Sequence, residues 1–509
     1  MIYKPNAGRF KDTCIFWHAG KYHLFSMYMD RRGPDDLFRN VWSAVSEDGV
    51  HWRHLGPVIA NAPYNIWAMA VHRVGDKFIM NHGSFTRPGV QNVIRFWESD
   101  DLVHWTFRGH ETDLTPDTRW YAPDSRLDCM DVIRVVEGGR PAWYGYATGP
   151  GGFLRSTDGL RWEGLPQPVI DWNGQTPPPT PGEEGLFEIG GCEQIDGKVY
   201  LLGGWFNYFG FTGYGVFTLV GDTPRGPFRA DPVAYRLCGN SGRWVALWAR
   251  FIRAEPELLI NGYMYDGFTY ETGDTYLPPI KKAVVDQGHL RLGYWSGNDR
   301  LKGKDWLIDL GRVGLVFPKA SSACTCRRID AGIELEAGPH VGSHAPAIRR
   351  LSVPTAVAIL DQTVEAEKGL VVEGVVRVTT RDPRLVSPSV GFYLEETDTE
   401  GTAILLHACG QTEIGKMTLG RAAEFDVEDV IIPGCAAPAG IWPHTDHTFR
   451  LLVRRNMFEL YLDERFVQTF NTTHSPEAPG RFPKGVGFLV QNGQGYFTGL
   501  KAWQMTLGT

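Results

Sequence analysis

Three carboxylates in this 509-residue chain stand where ordinary surface acids do not. Asp12 lies in Lys11-Asp12-Thr13-Cys14-Ile15-Phe16, Asp128 in Arg126-Leu127-Asp128-Cys129-Met130-Asp131-Val132, and Glu188 in Phe187-Glu188-Ile189-Gly190-Gly191-Cys192. Each is an acid at the head of an apolar, strand-like run. An acid in apolar surroundings is held protonated to a higher pH, so it can hand a proton to a leaving oxygen. A second carboxylate can attack the carbon or activate water, and a third can stabilise the positive charge that develops there. That division of labour suits cleavage of a glycosidic bond. Glu188, with the longer side chain, suits the reach to the leaving oxygen. Trp17, Trp42, Trp67 and Trp120 offer flat faces on which sugar C–H surfaces can stack.

Something must bring three acids from distant segments together, and a repeat supplies it. Ser46-Glu47-Asp48-Gly49-Val50-His51-Trp52, Ser99-Asp100-Asp101-Leu102-Val103-His104-Trp105 and Ser156-Thr157-Asp158-Gly159-Leu160-Arg161-Trp162 share one seven-residue pattern. The copies begin at 46, 99 and 156, so each unit spans more than fifty residues. The middle of the pattern is turn chemistry, and β-like runs such as Asn40–Val45 and Val93–Trp97 precede it. Other strand runs follow Gly-containing hairpin turns at Ala19-Gly20, Gly75-Asp76, Gly138-Gly139 and Asp196-Gly197. Four strands in such a unit make a propeller blade. Gly221–Phe228 falls where a fourth outer turn is due, and a fifth blade fits before residue 310. In a propeller the first strand of each blade lines a central channel, so the three acids would converge there. Trp67 stands at the strand position that carries acids in the other blades.

Composition sets the limits. Hydrophobic residues are 43% and aromatics 12%, which excludes a disordered chain. A net charge of −7 with no Lys/Arg block speaks against nucleic acid or an anionic membrane as partner. No apolar run approaches a membrane span, and the N-terminal residues carry no signal-peptide core, so a cytoplasmic location is expected. The eight Cys are scattered without a C-x-x-C pair, which argues against a disulfide framework or structural zinc. No nucleophile elbow, zinc helix or phosphate loop is present, so neither cofactor nor metal is expected.

These features together resemble glycoside hydrolase family 32, the β-fructofuranosidases. Lys11-Asp12-Thr13-Cys14 followed by Gly20-Lys21-Tyr22-His23-Leu24-Phe25 is similar to that family's opening N-D-P-N-G and G-K-Y-H-L-F strands. Ile66-Trp67-Ala68-Met69 through Trp105 resembles its F-S-G-S segment and S-x-D-L-x-x-W turn. Arg126-Leu127-Asp128-Cys129 resembles R-D-P, and Phe187-Glu188-Ile189 resembles E-C-P. Thr448–Asp463 resembles the signature of the family's C-terminal sandwich, and its period-two alternation reads independently as paired strands. The resemblance implies an all-β fold, a five-bladed β-propeller followed by a C-terminal β-sandwich. It implies Asp12 as nucleophile, Glu188 as general acid/base and Asp128 as transition-state stabiliser, with Arg126 as a sugar-binding neighbour. Trp67, Trp17, His82 and Trp120 complete the expected substrate-binding set.

The motifs also depart from the family. Asp12 lacks the Pro-Asn-Gly, Asp131 competes for the role of Asp128, and Glu193 competes for that of Glu188. Related arabinanase and xylosidase families share the propeller and the acids but invert, and a carbohydrate-binding propeller without catalysis is a third reading. The substrate expected is a furanoside, above all a β-fructofuranoside, as a glycoside or oligosaccharide cleaved from its end with retention. Only Trp442 and Trp503 of the 17 Trp lie beyond residue 310, which marks the end of the propeller. The expected division is a propeller over 1–316, a linker over 317–340 and a sandwich over 341–509.

Overall fold

The computed structural model describes residues 1–30, 38–85, 93–148, 152–175, 188–206, 213–267, 274–306, 324–330, 332–338, 350–360, 363–380, 387–420, 423–431, 441–472 and 481–508. Alternating hydrophobicity and glycine turns give a nearly all-β chain. Five antiparallel sheets follow one another. Blade I comprises Arg9–His18, Lys21–Met29, Asn40–Ser46 and Arg53–Ile59; blade II comprises Asn65–Val74, Lys77–Phe85, Val93–Ser99 and Thr106–Phe107. Blade III comprises Asp128–Glu137, Arg140–Thr148, Phe153–Ser156 and Glu163–Gly164. Blade IV is built on Glu188–Ile195, Lys198–Phe206, Tyr214–Gly221 and Phe228–Ala230. Blade V is built on Ala246–Ala254, Glu257–Tyr265, Lys281–Asp286 and His289–Tyr294. The first strands touch in a closed ring, I to II, II to III, III to IV, IV to V and V back to I. The ring is clasped by residues ahead of blade I: Ile2 N donates to Leu277 O at 2.9 Å and Leu277 N to Tyr3 O at 2.8 Å.

The seven-residue pattern forms the turn between third and fourth strands in blades I, II and III. In each turn the Ser hydroxyl accepts the amide three residues on, from Gly49 at 2.8 Å, Leu102 at 2.9 Å and Gly159 at 2.8 Å. The Asp carboxylate accepts the next two amides, Val50 and His51 from Asp48, Val103 and His104 from Asp101, Leu160 and Arg161 from Asp158. The fourth residue is left-handed in all three, at φ 75° for Gly49, 64° for Leu102 and 76° for Gly159. The Trp that ends the pattern packs beyond its own blade. Trp105 of blade II meets Phe25 of blade I edge-on at 5.6 Å, and Trp162 of blade III meets His72 of blade II at 6.0 Å.

Beyond the propeller a seven-stranded sheet faces a second sheet that continues from blade V through the pairing of Gly293 with Arg465. One runs 350–353, 423–431, 412–418, 400–407, 389–395, 485–491, 355–359, and the other 465–471, 457–462, 447–454, 370–379, 494–505, 332–337, 324–329. Phe392, Phe449, Phe488 and Phe497 interlock between them, with closest centroids 4.6 Å apart. The expected linker needs correction. Cys324–Ile329 and Gly332–Ala337 form a hairpin that extends the second sheet by pairing with Gln494–Met505. Lys302–Trp306, assigned to the propeller by sequence, pairs with that same strand. Of the residues expected as linker, 317–323, 331 and 339–340 lie outside the described ones.

The two parts are joined by buried polar contacts. Lys281 of blade V reaches Glu459 of the sandwich at 2.7 Å with both side chains buried. Asn240 Nδ2 donates to Thr469 O at 3.0 Å, Gln468 Nε2 to Gly239 O at 2.8 Å, and the Arg450 guanidinium lies 3.6 Å from the Tyr294 ring centroid.

Candidate active site

All five inner strands are bulged at the same level. The pairing of inner with second strand slips between Lys11 and Cys14, between Trp67 and Met69, between Asp128 and Asp131, between Ile189 and Gly191, and between Leu247 and Arg250. Three of the bulges contain a left-handed non-glycine residue, Asp12 at φ 47°, Ala68 at 32° and Trp248 at 66°. A bulge re-aims side chains and is concentrated next to functional sites. Left-handed backbone is costly for residues with a Cβ and is held only where surrounding structure enforces it.

The acids are distributed around this level. Asp12 lies inside the blade I bulge, Asp128 is the last paired residue before the blade III bulge, and Glu188 precedes the blade IV bulge by one residue more. Trp67 holds in blade II the position of Asp128 in blade III, while Ala68 takes that of Asp12. Asp128 is fully buried, Asp12 nearly so, and the Glu188 side chain is 19% exposed. One cation links two of them: Arg126 Nε lies 3.2 Å from Asp128 Oδ2 and its Nη2 lies 3.1 Å from Glu188 Oε1. Asp12 Oδ1 accepts a hydrogen bond of 2.9 Å from Tyr263 of blade V. Gly83, opposite Trp67, lets blade III close in, since a Cβ there would stand 2.7 Å from the Asp128 Cβ.

Burial dominates the electrostatics. It pushes the Glu188 carboxyl above its ordinary range; Arg126 opposes this, and the charges of Asp12 and Asp128 reinforce it. Burial raises Asp12 as well, against Lys11, the Tyr263 phenol and Arg250, with Asp128 adding to the rise. Two carboxyls poised upward beside a third acid can divide into proton donor and nucleophile.

The expected set divides on inspection. Asp12, Asp128, Glu188 and Arg126 form one interacting group, and Trp67 borders it across Gly83. The competing acids are committed elsewhere. Asp131 accepts the Cys192 amide at 2.8 Å and lies 3.9 Å from Arg250, and Glu193 is paired with Arg253. Both line a separate cavity of about 240 Å³ further along the channel, past the bulges. Trp17 lines that cavity too, five residues beyond Asp12 on the same strand, a run of about 16 Å at strand rise. Its expected role at the acids is therefore corrected. So is that of His82, which is fully buried inside blade II. Its Nε2 accepts from the Trp97 indole at 3.1 Å, its Nδ1 faces Gly83 O at 3.1 Å, and burial lowers its pKa to about 4. Trp120 is 49% exposed at the outer edge of blade III, where its indole donates to Gly164 O at 3.1 Å. His82 and Trp120 thus serve their blades and not the channel, while Trp17 lies in the channel away from the acids. Tyr263 is the residue sequence reasoning missed, because its partner lies 251 positions away.

No family model matches the chain, and no curated protein matches it in sequence. Solved structures do match over nearly its whole length. A Bombyx mori GH32 β-fructofuranosidase superposes with a TM-score of 0.63 at 13% identity, covering 99% of this chain and 93% of that one. A sucrose-6-phosphate hydrolase from Lactobacillus gasseri gives 0.62 at 12%, covering 99% and 92%. Fructan 1-exohydrolase IIa from Cichorium intybus gives 0.60 at 13%, covering 100% and 97%. The chain thus has the propeller-plus-sandwich fold of the GH32 β-fructofuranosidases, in a divergent sequence.

Proposed function

We propose that the chain is a glycoside hydrolase that removes terminal β-fructofuranosyl units by a retaining double displacement. The observation that carries the reading is the convergence of Asp12, Asp128 and Glu188 from three blades, with Arg126 bridging two of them. The proteins of like fold are named for hydrolysis of fructosides, which supports the same substrate class here. Glu188, whose carboxyl burial pushes above its ordinary range, gives its proton to the leaving oxygen. Asp12 attacks the anomeric carbon, and the buried Asp128 faces the positive charge that grows on the sugar. Water then enters, Glu188 takes its proton, and the Asp12 carboxylate leaves. Trp67 offers the stacking face beside Asp128.

The test is turnover of aryl β-fructofuranosides, α-arabinofuranosides and β-xylosides, with the first-formed anomer followed by NMR. Fructose released with retention is expected. Asp12→Asn, Asp128→Asn and Glu188→Gln should each lose about a thousandfold or more in kcat with the fold intact. Inversion, preference for an arabinofuranoside, or binding of every glycoside without turnover would overturn the reading.

A further inference from the structure

The nucleophile proposed above is not held by its own blade. Asp12 and Thr13 of blade I grip three successive residues of blade V. Asn261 Nδ2 donates to Thr13 Oγ1 at 2.8 Å and to Thr13 O at 3.2 Å, Thr13 Oγ1 donates to Gly262 O at 3.1 Å, and Tyr263 Oη donates to Asp12 Oδ1 at 2.9 Å. Thr13 is fully buried and Asn261 and Tyr263 nearly so, which excludes water from competing for these bonds. Gly262 sits directly under the blade V bulge, where a Cβ would meet Trp248 O at 2.7 Å. The Asp12–Tyr263 bond is therefore fixed in register by a second set of bonds one residue away. Tyr263 packs edge-on to Tyr265 at 5.8 Å, which limits ring motion. Among the described residues Asp12 Oδ1 has this partner and Oδ2 has none, so the two oxygens are not equivalent.

We propose that Tyr263 is a positioning residue for Asp12: its phenol anchors Oδ1, presents Oδ2 to the anomeric carbon, and sets how readily the carboxylate departs in the second half of the reaction. The inference rests on the nucleophile reading given above. In the first step an Oδ2 lone pair forms the bond to the anomeric carbon, the glycosidic C–O bond breaks with its electron pair going to the leaving oxygen, and Glu188 supplies the proton. In the second step water adds, Glu188 receives a proton from it, and the C–Oδ2 bond breaks with the pair returning to the carboxylate. The phenol donates more strongly to a full carboxylate than to the carbonyl oxygen of an ester. It therefore favours the second step, in which negative charge returns to Asp12. The same bond lowers the Asp12 pKa against the rise that burial imposes.

Tyr263→Phe keeps the ring and removes only the donor. A hydrogen bond to a charged group corresponds to roughly a ten- to hundredfold effect. Loss of the donor should slow release of the covalent intermediate, so kcat and KM fall together by about tenfold and a pre-steady-state burst appears with an activated aryl fructofuranoside. A residue that merely supports the fold would lower activity without a burst and without lowering KM. Carbon-13 NMR of labelled Asp carboxyls, with Asp12 assigned through Asp12→Asn, should show the Asp12 pKa rising by about one to two pH units in Tyr263→Phe. The NMR readout needs no substrate, so it separates the two ideas. An Asp12 pKa unmoved by Tyr263→Phe overturns the positioning role whatever the protein hydrolyses. An upward shift in a protein whose Asp12→Asn variant keeps full activity overturns the nucleophile reading instead, and the kinetic half of the proposal with it.

Discussion

At the scale of residues the site is governed by how Arg126 is shared between two of its acids. Arg126 is hydrogen-bonded to both Asp128 and Glu188, and its side chain is 26% exposed, so it can exchange partners. Burial raises Glu188 and Arg126 holds that rise in check. In the reaction proposed above Glu188 is the acid and must be protonated, so its pKa would set the alkaline limb of the activity profile. Arg126→Gln removes a positive charge that favours the ionised form, and the Glu188 pKa should climb further. The alkaline limb of kcat/KM should then move to higher pH while total activity falls. A limb that stays put, or moves down, would show that Glu188 is not the group titrating there.

At the scale of elements, the outer turns were legible in the sequence and the inner strands only partly so. Ser46, Asp48 and Trp52 announce their turn because the Ser and Asp side chains bond the backbone within three residues. Nothing further away is needed to read it. The acids were legible as apolar-flanked carboxylates, but the bulge that offsets Asp12 from Asp128 exists only against the second strand. His82 and Trp97 form a polar pair fifteen residues apart inside blade II, so a His that looks suited to a sugar serves the core. The hairpin Cys324–Ala337 was read as linker because the strand it pairs with, Gln494–Met505, follows more than 150 residues later. Asp48 makes a falsifiable case for the turns. Burial acts to raise its carboxyl, but bonds from His51, Val50 and Ser46 outweigh it and bring the pKa down to about 2. With a folded pKa below the unfolded one, the Asp48 contribution is present above about pH 4 and is lost as pH falls towards 2. Asp48→Ala should cost about 1–2 kcal/mol in urea unfolding at pH 7, and that difference should shrink on acidification. An equal loss at pH 7 and pH 3 would contradict it.

At the scale of the molecule, propeller and sandwich are welded by groups that tolerate no water. Glu459 is completely buried, and Lys281, Thr469 and Tyr461 converge on its carboxylate. Removing one member of a buried pair leaves the other uncompensated, at a cost of about 3–5 kcal/mol, whereas removing both can be nearly neutral. Lys281→Met should therefore destabilise the protein by about that amount, and Lys281→Met with Glu459→Gln should recover much of it. Differential scanning calorimetry should show the propeller and sandwich melting together in the parent protein. Two separate transitions there, or a Lys281→Met variant of unchanged stability, would show that the weld contributes little.

The clasp between Ile2, Tyr3 and Leu277 carries a consequence for how the chain reaches this state. Blade I is made before the other blades, yet it leans on residue 277 through the clasp and on residue 506 through the hydrogen bond that the His51 ring donates to Thr506 O at 3.0 Å. The entropy of closing such long loops grows only slowly with their length, so the finished ring is not much weakened by them. Rates respond differently, because contacts between distant segments form late. On the ribosome the earliest blade must wait for nearly the whole chain, with the flank that later meets Tyr3 and Leu277 still open. Blade I is thus synthesised ahead of the other blades and is among the last to become native. The bond from Tyr263 of blade V to Asp12 can therefore form only when the ring shuts.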